Sequence, residues 1–154
     1  MGMIGNYLTV NAELLQSIKN EETSLYEIET KLDIDKTWQA LHYILNGGQE
    51  GNDSPLGAAV PLTSHYIGNY SDAEVFALEP DQVKRTAEAL EGIDEGWLRE
   101  HYTFRQMMEE GIYPLIEGDD EEGFFDYIYS HFQAVREFYQ QASASASCVV
   151  FYIS

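Results

Sequence analysis

The hydrophobic positions of this chain follow a strand-like pattern at three places. Residues 3–10, residues 74–78 and the segment Cys148–Ile153 are short apolar runs rich in β-branched and aromatic side chains. Such composition favours extended strands, and polar residues such as Asn11 bound the runs. We therefore predict strands near the beginning, in the middle and at the end of the sequence.

Between these runs, apolar residues recur every three or four positions, which is the spacing of one face of a helix. A first helix is predicted after Asn11, which is a suitable N-cap residue. Further helices are predicted over residues 24–32, 35–46, 80–93 and 94–110, and a last, longest helix begins at Asp119 or Asp120. By contrast, residues 47–70 have no sustained period and are rich in Gly, Pro, Asn and Ser, which predicts a long loop. Loops of this length often form the rim of a functional site.

Within this pattern, residues 31–48 show the clearest signals for where a helix begins, which face it buries and where it ends. If a helix begins at Asp35, its period places four apolar residues on one face, namely Ile34, Trp38, Leu41 and Leu45. Asp33 or Asp35 is suited to accept hydrogen bonds from the first turn, and Gly47-Gly48 permits the left-handed residue that commonly ends a helix. His42 and Asp35 are then expected along one edge of the buried face.

Strands separated by helical segments predict an α/β fold in which helices cover both faces of a small mixed sheet. At 154 residues the chain has the length of one domain. We therefore expect a single domain over residues 1–154.

Several segments resemble the YfbM-like family, a group of bacterial domains of unknown function. The likeness includes LDIDK at residues 32–36 followed by Trp38 and Leu41-His42, and it extends to DSPLGAAV, LEPDQVKRTAEAL, Tyr113-Pro114 and the apolar last strand. It covers nearly the whole chain. The resemblance implies a three-layer α/β/α sandwich, and it implies no catalytic residues.

Charge restricts the classes of partner. The chain has 27 acidic and 8 basic side chains, a formal charge of −19. Nucleic acids and anionic membranes bind proteins mainly through Lys and Arg, so neither is an expected partner, whereas a basic protein is. No apolar run reaches the roughly 18 residues of a membrane helix, and a single cysteine, Cys148, allows no intrachain disulfide. The cytoplasm is the expected compartment.

Candidate chemistry centres on the predicted helix that follows Asp35. There His42 is placed to act as a general acid or base with Asp35 orienting it, while Lys36 and Trp38 are candidates for ligand contact. Tyr113, held by the adjacent proline, is a further candidate for catalysis or binding. The same residues also have a structural interpretation, in which Asp35 caps the helix, Trp38 fills the core and His42 completes a buried hydrogen bond.

Other chemistry has little support in the sequence. There is no HExxH, CxxC or EF-hand spacing, no phosphate-binding glycine motif and no GxSxG. We therefore expect neither a metal nor a cofactor.

Two functional hypotheses follow. In the first, this is an acidic binding or protein-interaction domain, similar in character to inhibitor or immunity proteins, and it docks a basic partner. In the alternative, it is a small-ligand-binding protein or an enzyme, with His42 as acid or base in a pocket beside the 47–70 loop. The absence of a convergent catalytic set favours the first.

Overall fold

The computed structural model describes residues 2–47 and 54–154, and it contains a five-stranded sheet. The strands, in chain order, are β1 (Gly5–Val10), β2 (Leu32–Asp33), β3 (Tyr66–Tyr70), β4 (Ala73–Leu78) and β5 (Cys148–Ile153). Their order across the sheet is β2-β1-β5-β4-β3. The three predicted strands are confirmed as β1, β4 and β5.

The expectation of a mixed sheet was wrong, because every pair of neighbouring described strands is antiparallel. The last strand enters between β1 and β4 and runs against both of them. Apolar patterning reports which residues of a strand are buried, but it carries no information on the direction of the neighbouring strand.

Six α-helices accompany the sheet in the described residues. They are α1 (Ala12–Lys19), α2 (Trp38–Leu45), α3 (Pro80–Glu91), α4 (Glu95–His101), α5 (Phe104–Glu109) and α6 (Glu121–Ala144). Asn11 caps α1 as predicted, since its side chain accepts a hydrogen bond from Leu14 N.

The helix predicted over residues 24–32 does not form. A single 3-10 turn, Leu25–Glu27, is followed by an irregular segment and then by β2. Leu25 and Ile28 pack against one face of the sheet, whereas Leu32 packs against the hydrophobic cluster on the other face. The chain must therefore cross the edge of the sheet, which one continuous helix could not do.

Two further predictions need correction. The helix predicted over residues 94–110 is broken at Tyr102 and Thr103, where Tyr102 turns to donate its hydroxyl proton to Glu121 O at 2.7 Å. The predicted 47–70 loop ends in strand β3, which pairs with β4 through a tight turn at Ser71 and Asp72, both with positive φ. Residues 48–53 of that predicted loop lie outside the described residues.

Two hydrophobic clusters lie on opposite faces of the sheet, and this confirms the α/β/α layering. Leu15 and Ile18 of α1 cover one face, packing against Leu8 and Val150. The other face carries the larger cluster, in which α2, α3 and α6 pack against residues such as Phe151. One helical layer is therefore formed by α1, and the other includes α2, α3 and α6.

Buried phenols attach the segment Gly57–Ala59 to this larger cluster. The hydroxyl groups of Tyr7 and Tyr139 both donate to Ala59 O, at 2.5 and 2.9 Å. Both side chains are fully buried, so each requires such a partner.

Among the described helices, none combines the length and the apolar composition that a membrane span requires.

Candidate functional site

The segment that leads into α2 differs from the prediction at its first turn. Residues Asp35–Thr37 form a 3-10 turn, and the α-helix begins at Trp38. Asp35 has a φ of +52°, which a non-glycine residue rarely adopts, and its N–H donates to Asp33 Oδ1 at 2.7 Å.

The apolar face predicted for this helix is confirmed, because all four of its residues are buried: Ile34, Trp38, Leu41 and Leu45. Gly47 has the expected left-handed conformation, with a φ of +71°. Gly48, the second glycine of the predicted stop, lies outside the described residues.

Trp38 and Tyr113 meet at the N-terminal segment of the chain. Trp38 Nε1 donates to Met3 O at 2.9 Å, and Met3 N donates to Tyr113 Oη at 2.8 Å. The two rings pack at a centroid distance of 5.7 Å, and the Tyr113-Pro114 peptide bond is cis. A Cβ atom added to Gly2 would overlap Lys36 Cε and would lie 2.9 Å from Tyr113 Oη. Segments far apart in sequence are therefore brought together next to Lys36.

A surface pocket opens beside this junction, and we call it the acidic pocket. Its volume is about 430 Å³, and it is lined by Asp35, Lys36, Pro114, Ile116, Asp119, Asp120, Gly123, Phe124 and Tyr127. It lies where the start of α6 approaches the turn that precedes α2. Two of the predicted site residues, Asp35 and Lys36, line it directly.

In each aspartate of the acidic pocket, one carboxylate oxygen accepts a hydrogen bond that fixes the side chain. Asp35 Oδ2 accepts from Tyr127 Oη at 2.6 Å, Asp119 Oδ2 accepts from Ile116 N at 2.9 Å, and Asp120 Oδ2 accepts from Gly123 N at 2.7 Å. In the described part of the chain, the Oδ1 atoms of these residues have no hydrogen-bond partner. The carboxylates are thus oriented while each keeps an accepting oxygen.

The pocket has an excess of negative charge. Its three aspartates and one lysine leave two formal negative charges. The ion pairs among the described residues involve Glu29, Asp81, Glu95 and Glu122, so none of them neutralises these aspartates.

Tyr127 acts as a hydrogen-bond donor in this pocket. Burial and the hydrogen bond to Asp35 raise the pKa of Tyr127 to about 12, although the N–H of Lys36, which donates to the phenol oxygen, partly opposes them. The phenol therefore keeps its proton near neutral pH. It orients Asp35 and is not suited to act as a base.

His42 lies apart from the acidic pocket. Its side chain is 4% exposed, and Nδ1 lies 2.9 Å from Val60 O, so the carbonyl accepts the Nδ1 proton. This contact attaches α2 to the segment that follows Gly57–Ala59. The geometry matches the structural interpretation of His42, and His42 does not share a described pocket with Asp35.

Sequence reasoning missed much of this pocket. Asp119 and Asp120 were recognised only as the possible start of the last helix. Tyr127 is separated from Asp35 by 92 residues, and no motif joins them. The acidic run at residues 117–122 was the one available signal, and it is equally typical of a solvated loop.

A metal centre is not indicated within residues 2–47 and 54–154. No three His, Cys, Asp or Glu side chains of this part of the chain come together closely enough to hold an ion.

These observations define a single-sheet α/β protein with an acidic surface pocket. The chain belongs to the family described as a domain of unknown function, DUF1877, whose model matches residues 1–152. This match, together with the similarity to YfbM itself, confirms the predicted resemblance to the YfbM-like family.

Two comparisons support this assignment. Protein YfbM of Escherichia coli K12 is 29% identical over 132 residues, covering 79% of this chain and 78% of YfbM. The crystal structure of YfbM from Escherichia coli, described as a protein of unknown function, superposes with a TM-score of 0.76 at 25% identity. That superposition covers 98% of this chain and 99% of the other.

The buried phenols allow a prediction of alkaline stability. Burial raises the pKa of Tyr7 and Tyr139 well above the ordinary value of 10.0. Their contribution to stability is therefore complete below about pH 10 and declines at higher pH, where the unfolded chain loses phenolic protons that the fold retains. We expect unfolding, followed by circular dichroism, to become easier above about pH 10.

The double variant Tyr7→Phe/Tyr139→Phe serves as the control, because its stability should fall less steeply with pH. If the phenolate absorbance of these two residues developed while the circular dichroism stayed native, their protection by the fold would be refuted.

Proposed function

We propose that this protein is an acidic protein-interaction domain that docks a basic segment of a partner protein, with one Lys or Arg side chain entering the acidic pocket. The observation that carries the proposal is the set of three oriented carboxylates without ion-pair partners in the described structure. A cationic side chain would donate hydrogen bonds to their accepting oxygens and offset part of their negative charge.

The walls of the pocket suit a long cationic side chain. Phe124 and Tyr127 contribute aromatic surface, against which a guanidinium or an ammonium group and its methylene stem can pack. Pro114 adds apolar surface. On the rim, Ile116 is 67% exposed, which offers an apolar contact beside the charged one.

Lys36 is compatible with this role. No ion pair joins it to a pocket aspartate in the described structure, and its methylene groups lie against Gly2. An incoming cation therefore meets carboxylates that Lys36 does not already occupy.

The overall charge of −19 supports the same class of partner, because it attracts basic surfaces over long distances. The cytoplasm is part of this proposal, since the only cysteine is a buried thiol in β5. The alternative with His42 as acid or base has less support. The His42 side chain is buried, it is hydrogen-bonded to Val60 O, and it lies away from the acidic pocket.

Replacing the three pocket aspartates by asparagine, as Asp35→Asn/Asp119→Asn/Asp120→Asn, is expected to weaken binding of a hexa-arginine peptide by about tenfold or more. Asparagine keeps an accepting oxygen for each internal hydrogen bond, remains a good N-cap at position 120 and tolerates positive φ at position 35. The fold should therefore persist, and titration calorimetry at low salt measures the change.

The matched control is Glu13→Gln/Glu88→Gln/Glu91→Gln, which removes three exposed carboxylates outside the pocket. Both triple variants carry the same total charge, so a loss specific to the first locates binding in the acidic pocket. Equal affinities of the two variants would contradict the pocket. Wild-type binding that is indifferent to added salt would contradict electrostatic docking altogether.

A further inference from the structure

A second pocket lies along the C-terminal half of α6, away from the acidic pocket. It has a volume of about 390 Å³ and lies between this helix and the outer edge of β1, and we call it the β1-edge groove. Leu32 and Phe138 contribute apolar lining, and Thr9, Lys31 and Glu137 contribute polar groups. The volume lies in the range of small-molecule sites.

The backbone of β1 has an unpaired residue at this groove. Ile4 and Ser154 exchange both of their backbone hydrogen bonds, so antiparallel alternation directs the N–H and C=O groups of residues 5, 7 and 9 away from β5. On that outer side, Gly5 O accepts from Ile34 N and Tyr7 O accepts from Lys31 N. No described residue pairs with Thr9 there, because the pairing with β2 extends only to Tyr7.

An unpaired N–H and C=O on one edge residue match the backbone of one residue in an extended, antiparallel peptide. Residues paired in this way project their side chains from the same face of the sheet. Thr9 shares its face with Tyr7, which packs against Phe138 of α6. The side chain of a paired ligand residue would therefore enter the groove over its apolar lining.

The two charged side chains of the groove suit the termini of a short peptide. Lys31 lies next along this edge of the sheet, on the side toward which an antiparallel ligand paired with Thr9 would run. Lys31 is therefore placed near the C-terminal carboxylate of such a ligand. Its ion pair with Glu29 is long, at 3.9 Å, and Glu137 accepts only a weak bond of 3.4 Å from Gln141. Both charges remain available to a carboxylate and an ammonium group.

We propose that the β1-edge groove binds a short free peptide with an apolar C-terminal residue. The N–H and carboxylate of that residue pair with Thr9, its side chain packs on Leu32 and Phe138, Lys31 stabilises the carboxylate and Glu137 the ammonium group. This site is independent of the proposed docking function, because it involves the other half of α6.

The test is titration of the ¹⁵N-labelled chain with L-alanyl-L-leucine, followed by amide NMR. We expect a saturable shift of the Thr9 amide with a dissociation constant on the order of 1 mM. Alanyl-N-methylleucine cannot donate to Thr9 O and should bind about tenfold more weakly. A Thr9 amide unmoved by the dipeptide, or equal affinity for the methylated analogue, would overturn the proposal.

Side-chain variants test the roles of the two charges. Lys31→Met and Glu137→Gln should each weaken the dipeptide by several fold, whereas Glu88→Gln on exposed α3 surface should leave it unchanged. The triple asparagine variant of the acidic pocket should bind the dipeptide like the wild type, so failure of one site is distinguishable from failure of the other. Equal affinity of all these variants would contradict the assigned groove.

Discussion

Truncation of Phe132 to alanine is expected to lower the free energy of unfolding by about 3–5 kcal/mol. Phe132 lies near the middle of α6, and its side chain is fully buried in the larger hydrophobic cluster. Removing the ring leaves a cavity where this helix packs over the sheet. Denaturant unfolding with linear extrapolation measures the change.

The neighbouring residue provides the control for this prediction. Gln133 is exposed on the same helix, so Gln133→Ala should alter stability by no more than about 0.5 kcal/mol. If the two variants were equally stable, α6 could not pack with Phe132 facing the cluster.

The second large effect is expected at Trp38, where Trp38→Ala should cost about 3–5 kcal/mol. The side chain is only 9% exposed, packs against Tyr113 and donates to Met3 O. Its loss removes both apolar contact and the attachment of the N-terminal segment. Thermal and denaturant unfolding provide the measurement.

Trp38→Phe separates the two parts of this effect. Phenylalanine keeps an aromatic ring near Tyr113 but cannot donate to Met3 O, so an intermediate loss is expected. An unchanged stability for Trp38→Ala would contradict the assignment of Trp38 to the core.

Sequence patterns predicted best those elements whose local composition and spacing agree with their burial in the fold. Apolar spacing predicted both α2 and the long helix α6, and the apolar residues predicted to face inward at α2 are buried. The central strand β5 is almost wholly apolar and was likewise recognisable. In each case local spacing and tertiary burial agree, so no long-range information was needed.

The secondary-structure predictions failed where the side chains of one short segment pack in two different parts of the fold. Leu25 and Leu32 have helical spacing but pack on opposite faces of the sheet. Likewise, Tyr102 interrupts an otherwise periodic segment because its hydroxyl reaches Glu121 on α6. Such choices depend on partners far away in sequence, which periodicity does not report.

The candidate site was predictable only in part, for the same reason. Asp35 and Lys36 were identified from the segment before α2, but their partner Tyr127 comes from a different helix. His42, the candidate acid or base of the alternative hypothesis, is directed to Val60 by tertiary packing. Helical spacing placed His42 at the edge of the buried face but did not indicate that another segment covers it.

The most direct test of the docking proposal is to locate the binding of a single cationic side chain. The ¹⁵N-labelled chain is titrated with N-acetyl-arginine amide and, separately, with its neutral isostere N-acetyl-citrulline amide. We expect arginine-dependent shifts concentrated at Asp119, Asp120, Gly123 and Tyr127, with little response to citrulline. Arginine shifts spread evenly over the acidic surface, or identical shifts with citrulline, would contradict it.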